Sequence, residues 1–321
     1  MTYRMLWTAV LALLFSGCAA AQTNYPEKSI RIIVAYPAGG APDFVARLLG
    51  QKFSAVWGKP VVIDNLPGAS GSIGADRLAK AAPDGYTLGF LAAPEVVINP
   101  SLYKLAYDPV KDFTPVTQVT RNLNILVVNN ALPVKTVQEL VKLAKARPGE
   151  ITFASSGTGT TPHLSGELFK FAARIDIQHV PYKGVVVAIP DLVAGRVAMA
   201  FTLPSFVVPM VRDGKLRALA VTSLKRHAAF PQVPTIAESG YPGFEVVAFQ
   251  GLFAPAGTPA AIVSKLHLET VKALESDMHV KLADAGSEAA GSKSPAEFAA
   301  LIKSEVPRWA KVIKDAGIKV E

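Results

Sequence analysis

The chain has 321 residues, of which half are apolar and 18% are charged, and its formal net charge is +8. This length favours two domains, and the apolar content is sufficient for buried cores. No run of Lys and Arg exceeds two residues, which argues against a nucleic-acid-binding arm. We interpret the positive charge as a contribution to solubility, with mild attraction of anionic ligands.

Residues 1–21 have the composition of a secretory signal peptide: a basic start, an apolar stretch of 13 residues and a group of small residues. The apolar stretch is too short to cross a bilayer, which takes about 20 residues. Ala19 and Ala21 fit the rule for cleavage before Gln22. Alternatively, "FSGC" resembles a lipobox, in which Cys18 would carry a lipid. Both alternatives predict export to the periplasm, and the first leaves a mature chain without cysteine.

After this leader, short apolar runs alternate with amphipathic stretches of helical periodicity. Strands separated by helical patterns of this length indicate βαβ units and a parallel sheet, so we predict an α/β fold. The predicted strands are 29–36, 60–65, 86–91, 124–129, 150–155, 177–182, 197–202 and 249–257, and the predicted helices are 42–57, 71–81, 136–149, 157–173, 186–195, 259–276 and 294–317.

The pattern predicts two domains, of which the second is inserted into the first. The strand at 249–257 reads as a return to the first domain, and the helix-rich tail must pack there. The first domain would then be discontinuous, with residues 25–123 plus 247–321, and the second, residues 124–246, would be inserted into it. Two chain crossings would form a hinge. In the tail, Ser294 is the predicted N-cap of the last helix.

Two glycine-rich turns each join a strand to a helix, at 34–47 and 152–171. Helix N-termini offer unpaired N–H groups and the positive end of the helix dipole, and glycine allows a ligand to approach the backbone. In open α/β sheets, ligands lie beyond the carboxyl ends of the strands. We therefore predict that the two turns hold an anion between them across a cleft. The alternative is that each turn is only a tight connection.

Two details of these turns qualify the prediction. Pro42 fits the first turn of a helix but removes one N–H donor, and Asp43 is better suited to the helix dipole than to an anion. A third glycine-rich turn, with Ala69 and Ser70 between two glycines, also precedes a helix. It could line the same cleft or serve as a plain turn.

Patterns typical of enzymes are not found. Pro162 stands where the dinucleotide pattern needs a third glycine, and neither Gly-Lys pair precedes Ser or Thr as a phosphate-binding loop requires. The sequence around Ser70 does not match the nucleophile elbow. The five histidines lack the spacing of a zinc site. We predict no catalytic residue, metal site or cofactor.

His163 follows the second glycine-rich turn by two residues. As a general base it would need Ser155 or Ser156 as nucleophile, which would make the protein a secreted hydrolase. We expect instead that His163 packs beside the turn and bonds its backbone.

The chain resembles a known family over residues 25–321. The motifs that carry the resemblance are "SIRIIVAYPAGGAPDFVARLL", "VVIDNLPGASGSIGADRLAKAAPDGYTLGF", "ITFASSGTGTTPHLSGELFK" and "GLFAPAGTP". They are similar to the Bug family, the TctC-like extracytoplasmic receptors of tripartite tricarboxylate transporters. The resemblance implies a type II periplasmic binding protein fold, with two α/β domains, a hinge and a central cleft. It also implies a monomeric receptor that delivers a small carboxylate to the membrane subunits of a transporter. A receptor that senses the ligand for signalling is the alternative.

The resemblance also implies which residues bind the ligand. Relatives often have Asp at the position of Thr202 and a second glycine at the position of Val185, so we expect a less polar far end that suits an apolar or aromatic acid. By position, the expected ligand-binding residues are Tyr36, Ala38, Gly39, Gly40 and Asp43 in the first turn, Ala69 and Ser70 in the third, Ser156, Gly157, Thr158, Gly159, Thr160 and His163 in the second, and Thr202.

Overall fold

The computed structural model of the protein describes residues 24–227 and 230–318. The predicted leader, with Ala19, Ala21 and Cys18, lies outside the described residues. The described strands form two sheets. The first sheet contains β1 (Ile30–Val34), β2 (Val61–Asn65), β3 (Thr87–Ala92), β4 (Phe113–Leu123), β10 (Val247–Pro255) and β11 (Glu288–Ala289), and the second contains β5 (Ile125–Asn129), β6 (Thr152–Ser155), β7 (Gln178–Pro181), β8 (Met199–Thr202) and β9 (Leu216–Val221).

The strand order is β11-β4-β10-β3-β1-β2 in the first sheet and β7-β6-β8-β5-β9 in the second. Helices cover both faces of each sheet. They are α1 (Ala41–Trp57), α2 (Ser72–Ala79), α3 (Asn99–Leu102), α4 (Val137–Ala146), α5 (Thr161–Ala173), α6 (Val185–Val193), α7 (Pro204–Arg212), α8 (Ala260–Leu274), α9 (Met278–Asp284) and α10 (Pro295–Asp315), with a 3₁₀ turn at Ala69–Gly71 and a π-helical turn at Pro94–Ile98.

The strands are apolar because both faces of each sheet are buried. In the first sheet, Ile32 and Val34 pack with Leu49 and Phe53 of α1, whereas Ile33 belongs to the core on the opposite face. In the second sheet, the face of Leu126, Phe153 and Phe201 packs against α4 and α5, and the face of Ile125, Val127 and Ala154 against α6 and α7. This layered arrangement is the predicted α/β fold.

The prediction of parallel sheets is wrong for the strands near the crossings between the two sheets. β10 runs antiparallel to both β3 and β4, and β5 runs antiparallel to β8 and β9. The chain passes from β4 to β5 through Asn124 alone. β5 and β10 each enter their sheet directly from the other sheet. They are not connected to a neighbouring strand by a βαβ crossover, so they need not run parallel to it.

Several elements differ from the sequence prediction. β4, β9, α7 and the π-helical turn are not among the predicted elements. β4 reads "FTPVTQVTRNL", whose internal Pro and polar residues are unfavourable for a strand. The helix predicted to reach Gly149 ends at Ala146, because the residue before Pro148 disfavours helical backbone. The predicted cap is confirmed: the side chain of Ser294 accepts the N–H of Glu297 at 3.1 Å.

Thr222 joins the two crossings. Its hydroxyl oxygen accepts the N–H of Asn124 at 2.9 Å, and its O–H donates to the carbonyl of Val246 at 2.6 Å. The backbone of Thr222 also donates to the Asn124 carbonyl and accepts from the Val246 N–H, both at 2.9 Å. Thr222 is fully buried, so the outgoing and returning segments are tied through one residue.

Pairing at the crossing determines which sheet edges face each other. Ile125, at the start of β5, pairs with Thr202, at the end of β8, and lies two residues after the end of β4. β6 is parallel to β8. The carboxyl ends of β6 and β8 therefore lie at the crossing, as do the carboxyl ends of β1, β3 and β4. In the described part of the chain, we find no helix whose length and apolar character would suit a bilayer span.

Thr222→Val should destabilise the protein, because it leaves the Asn124 N–H and the Val246 carbonyl buried without the hydroxyl. We expect the free energy of unfolding to fall by about 1–3 kcal/mol, measured by urea denaturation. Thr270→Val is the matched control: Thr270 is also fully buried, but its hydroxyl donates only to the Leu266 carbonyl of the same helix. Equal losses in the two variants would contradict a special role for Thr222.

Candidate functional site

Three glycine-rich turns follow strands at the facing edges. We call them the β1 turn (residues 36–40), the β2 turn (68–71) and the β6 turn (156–160). The side chain of Tyr103, just after α3, lies between the β2 turn and the β6 turn. Its hydroxyl oxygen is 3.4 Å from the Ser70 Oγ. A Cβ built on Gly159 would lie 3.6 Å from this Tyr103 oxygen. Tyr103 is not among the residues that the sequence predicts.

The β1 turn is held by the buried carboxylate of Asp43. One oxygen accepts the N–H of Gly39 and the Nε of Arg47, both at 2.9 Å, and the other accepts the Asn65 amide at 2.9 Å. That amide also donates to the carbonyl of Tyr36 at 3.0 Å. Burial alone would raise the pKa of Asp43, but these hydrogen bonds lower it below its usual value. Asp43 is therefore anionic and engaged within the protein.

The N-terminus of α1 is open at the β1 turn. Gly40 is its N-cap residue and has no side chain to cap it, while the Asp43 carboxylate of the first turn accepts the N–H of Gly39. Gly39 has φ +82°, which favours glycine, whereas Gly40 has φ −76° and extended backbone. Ala38 and Gly39 are exposed, and Tyr36 and Gly40 are half-buried. The positive end of this helix is thus accessible to an anion.

The β2 turn has four consecutive residues with positive φ, including Ala69 at +46° and Ser70 at +52°. Residues other than glycine seldom adopt positive φ, and such backbone strain concentrates at functional sites. The amide of the buried Asn99 holds the turn by donating to the Ser70 carbonyl at 2.8 Å. Ala69 and Ser70 are exposed at the edge.

The β6 turn is closed by its own hydrogen bonds. The hydroxyl of Thr160 donates to the Gly157 carbonyl at 2.6 Å, and the Ser155 Oγ accepts the Gly157 N–H at 3.1 Å. The hydroxyls of Ser156 and Thr158 bond to no other described residue and lie half-buried and exposed, respectively. Thr160 is the N-cap residue of α5, and no side chain caps this helix.

His163 supports the β6 turn, as predicted. Its Nδ1 accepts the N–H of Gly159 at 3.2 Å, so the ring is neutral with the proton on Nε2. Burial, the neighbouring His179 and Lys170 lower the pKa of His163 to about 4. The two imidazole rings are 4.2 Å apart between centroids.

The pairing proposed for a hydrolase, Ser155 or Ser156 with His163, is not formed. Ser155 is fully buried and lies 2.6 Å from the Nε2 of His179. Within residues 24–227 and 230–318, no carboxylate hydrogen-bonds either ring, as a catalytic triad would need. The same described residues contain no cluster of His, Cys, Asp and Glu suited to a metal ion.

Thr202 lies at the end of β8, fully buried, and its Oγ1 has no hydrogen-bond partner among the described residues. A buried hydroxyl normally finds a partner. Thr202 therefore places an unsatisfied hydroxyl at the crossing between the sheets.

Glu95 is a buried acid beneath the β1 and β2 turns that the sequence prediction omits. It lies in the π-helical turn, is fully buried, and accepts the Ala92 N–H at 2.7 Å. Burial raises the pKa of Glu95 to about 7, although hydrogen bonds from Tyr36 and the backbone oppose this. A lone acid within the apolar run "FLAAPEVVI" is the signal that could have identified it.

Two sheets joined by paired crossings, with open helix N-termini at their facing edges, define an α/β solute-binding protein. Comparisons with known proteins agree. The family model for the tripartite tricarboxylate transporter family receptor (TctC) matches residues 45–318. The chain therefore belongs to this receptor family.

Individual relatives match along nearly the whole chain. BugT of Bordetella pertussis is 36% identical over 322 residues, which cover 99% of each protein. The structure of R. palustris Rpa4515 with adipate is 39% identical, has a TM-score of 0.80 and covers 92% of this chain and 99% of the other. MatC of Rhodopseudomonas palustris with bound malate is 34% identical, with a TM-score of 0.77 and coverage of 90% and 100%.

Replacing His163 with Asn should flatten the dependence of stability on pH in acid. The unfolded chain binds this proton near pH 6.5, but the folded protein does so only near pH 4. The free energy of unfolding thus falls as the pH drops through this window, by at most about 3 kcal/mol. Asn can still accept the Gly159 N–H but does not titrate. Urea denaturation between pH 4 and pH 7 should show that the free energy of unfolding falls less in His163→Asn than in wild type. His279→Asn, at an exposed position, should keep the wild-type profile.

Glu95→Gln should have the opposite effect. Folded Glu95 keeps its proton to about pH 7, whereas the unfolded chain releases it near 4.5. The folded state binds more protons in between, so the wild-type free energy of unfolding falls as the pH rises through this window, by about 3 kcal/mol at most. Gln lacks this loss, so the variant should gain stability relative to wild type from pH 5 to pH 8. A constant difference across that range would contradict a raised pKa.

Proposed function

We propose that this protein is a periplasmic receptor that captures a small organic acid between the β1 and β6 turns and delivers it to the membrane subunits of a tripartite tricarboxylate transporter. One observation carries the proposal. Two helices, α1 and α5, begin at glycine-rich turns on facing sheet edges, and neither N-cap residue, Gly40 or Thr160, caps its helix with a side chain. Such helix ends bind anions through N–H groups and the helix dipole.

The chemistry of the site favours a carboxylate over a phosphate ester. Arg47, near the β1 turn, is paired with Asp43, and the site lacks the glycine-rich loop with Lys that binds nucleotide phosphates. The available donors are backbone N–H groups and the hydroxyls of Ser156 and Thr158. Relatives in this family were solved with adipate and with malate, which supports a carboxylate ligand here.

Different predicted residues have different proposed roles. Gly40, Ser156 and Thr158 would contact the carboxylate directly or through water, which can bridge nearly as well as a direct hydrogen bond. Asp43 and His163 would instead hold the two turns in shape. The remaining predicted residues, Tyr36, Ala38, Gly39, Ala69, Ser70, Gly157, Gly159 and Thr160, would line the cleft.

The far end of the ligand would lie towards Thr202. Its unpaired hydroxyl offers one polar contact and no charge. An acid whose far end is apolar or aromatic fits this arrangement better than an amino acid, whose ammonium group would need an anionic partner.

Closure would occur between two domains, residues 25–123 plus 247–321 and residues 124–246, about the crossings that Thr222 joins. The protein would act as a monomer without a cofactor, after removal of residues 1–21 or lipidation of Cys18.

A carboxylate should raise the melting temperature of the mature protein. A ligand that binds only the folded state adds about 2.7 kcal/mol at 100 times its dissociation constant. We expect a shift with adipate or malate in a thermal melt over a panel of mono- and dicarboxylates, sugars and cations. Shifts from sugars or cations alone would overturn the proposal.

Gly40→Leu tests the β1 turn in the same melts. The φ of Gly40 suits other residues, and the nearest atom to an added Cβ is the Pro37 carbonyl oxygen at 3.3 Å. The variant should fold but lose the carboxylate shift, since its side chain occupies the helix end. Ala172→Leu, on the exposed face of α5, should keep the shift. A normal shift in Gly40→Leu would exclude this turn from the site.

A further inference from the structure

The carboxyl group of Glu95 lies directly against both turns of the first sheet. On one side, Gly71 of the β2 turn lies so close that a Cβ added to it would overlap the Glu95 Oε1. On the other side, the hydroxyl of Tyr36 is near enough to the carboxyl group to lower its pKa. Tyr36 belongs to the β1 turn, and its carbonyl is held by Asn65. One buried acid thus supports two of the three turns around the proposed ligand.

The carboxyl group of Glu95 has no charged partner. It is fully buried, its Oε2 accepts the Ala92 N–H at 2.7 Å, and its Oε1 has no well-formed hydrogen bond among the described residues. No Lys, Arg or His of the described residues acts on it. An isolated buried carboxylate is costly, and protonation is the usual way in which a protein avoids that cost.

The elements around Glu95 supply neutral groups. Tyr36 belongs to the β1 turn. Tyr107 follows α3, and its hydroxyl donates to the backbone carbonyl of Glu95 at 2.8 Å. Asp76 of α2 faces Tyr107 and pairs with Lys80. From α3 comes the amide of Asn99.

Helix α10, which also packs on the π-helical turn, contributes no charge to Glu95. Phe298, Ile302 and Trp309 form its buried face, and Arg308 pairs with Glu305. Among the residues that the structure describes, the elements packed against Glu95 therefore supply no compensating cation.

We propose that Glu95 is a proton-binding group of the ligand site, and that the receptor binds its carboxylate ligand in the form that carries a proton on Glu95. This inference rests on the proposed function. A carboxylate held at the β1 turn is repelled by an ionised Glu95 one side chain below it, but not by the protonated acid. Coupling is reciprocal, so the ligand in turn holds the proton on Glu95.

The effect should appear near neutral pH. Burial places the pKa of Glu95 at about 7, and carboxylate ligands such as adipate and malate are already ionised above pH 6. His163, His179 and His227 have lowered pKa values through burial, so these rings stay neutral in the same range. At an effective dielectric constant of about 20, two charges about 10 Å apart repel enough to weaken binding roughly tenfold.

The test is the dissociation constant of adipate and of malate from pH 6 to pH 8.5, by titration calorimetry on the mature protein. Wild type should lose about tenfold in affinity as the pH rises, and near pH 7.5 it should take up protons on binding, as measured in two buffers of different ionisation enthalpy. Glu95→Gln should show a flat profile and no proton uptake.

Two further variants complete the experiment. Glu150→Gln removes an exposed acid and should keep the wild-type profile. Tyr36→Phe removes the hydroxyl that lowers the pKa of Glu95, so the midpoint of the affinity loss should move to higher pH. This shift tests the proposal even if Glu95→Gln does not fold.

The outcomes separate the two proposals. Binding with the same pH profile and proton uptake in wild type and Glu95→Gln overturns the role of Glu95 and leaves the carboxylate receptor intact. If Glu95→Gln does not fold, an unmoved midpoint in Tyr36→Phe overturns it. If wild type binds no carboxylate at any pH, the proposed function fails, and the inference fails with it.

Discussion

The hydrogen bonds of Thr222 across the two chain crossings are the constraint on which the site depends. They tie Asn124 and Val246 to the end of β9, and so place the carboxyl ends of strands from both sheets at one junction. Each glycine-rich turn is local, but it can share a ligand with another only if these edges face each other. The contact between Tyr103 and Gly159 shows how near the edges come.

The geometry around the turns favours recognition of an anion without a free cation. Arg47 is paired with Asp43, and His163 is held neutral by burial and by the Gly159 N–H. What remains are helix ends and hydroxyls, fixed in position by buried side chains. Such a site selects by geometry, because preorganised dipoles need little rearrangement when the ligand arrives. Without a nearby cation to cancel it, the charge of a single buried acid such as Glu95 would act on a ligand at these turns, as we propose.

Local features were predictable where their cause is local. The glycine-rich turns, the cap at Ser294 and the backbone contact of His163 follow from residue types within a few positions. β4 was not predictable, because it has an internal Pro and consecutive polar residues rather than an alternating pattern, and such a strand is stable only when its neighbours pair with it. Tyr103 and Glu95 were missed for a related reason: their partners, Ser70, Gly159 and Tyr36, are distant in sequence.

The sequence by itself determined the α/β class, the strand–turn–helix units and the family to which the chain belongs, because these depend on short patterns in a fixed order. The tertiary structure alone decided that β10 and β5 run antiparallel to their neighbours, that Ser155 pairs with His179, and that Glu95 lies without a cation beneath two turns. Those outcomes depend on which segments meet across the crossings and on how fully they exclude water, and neither property is encoded in local spacing.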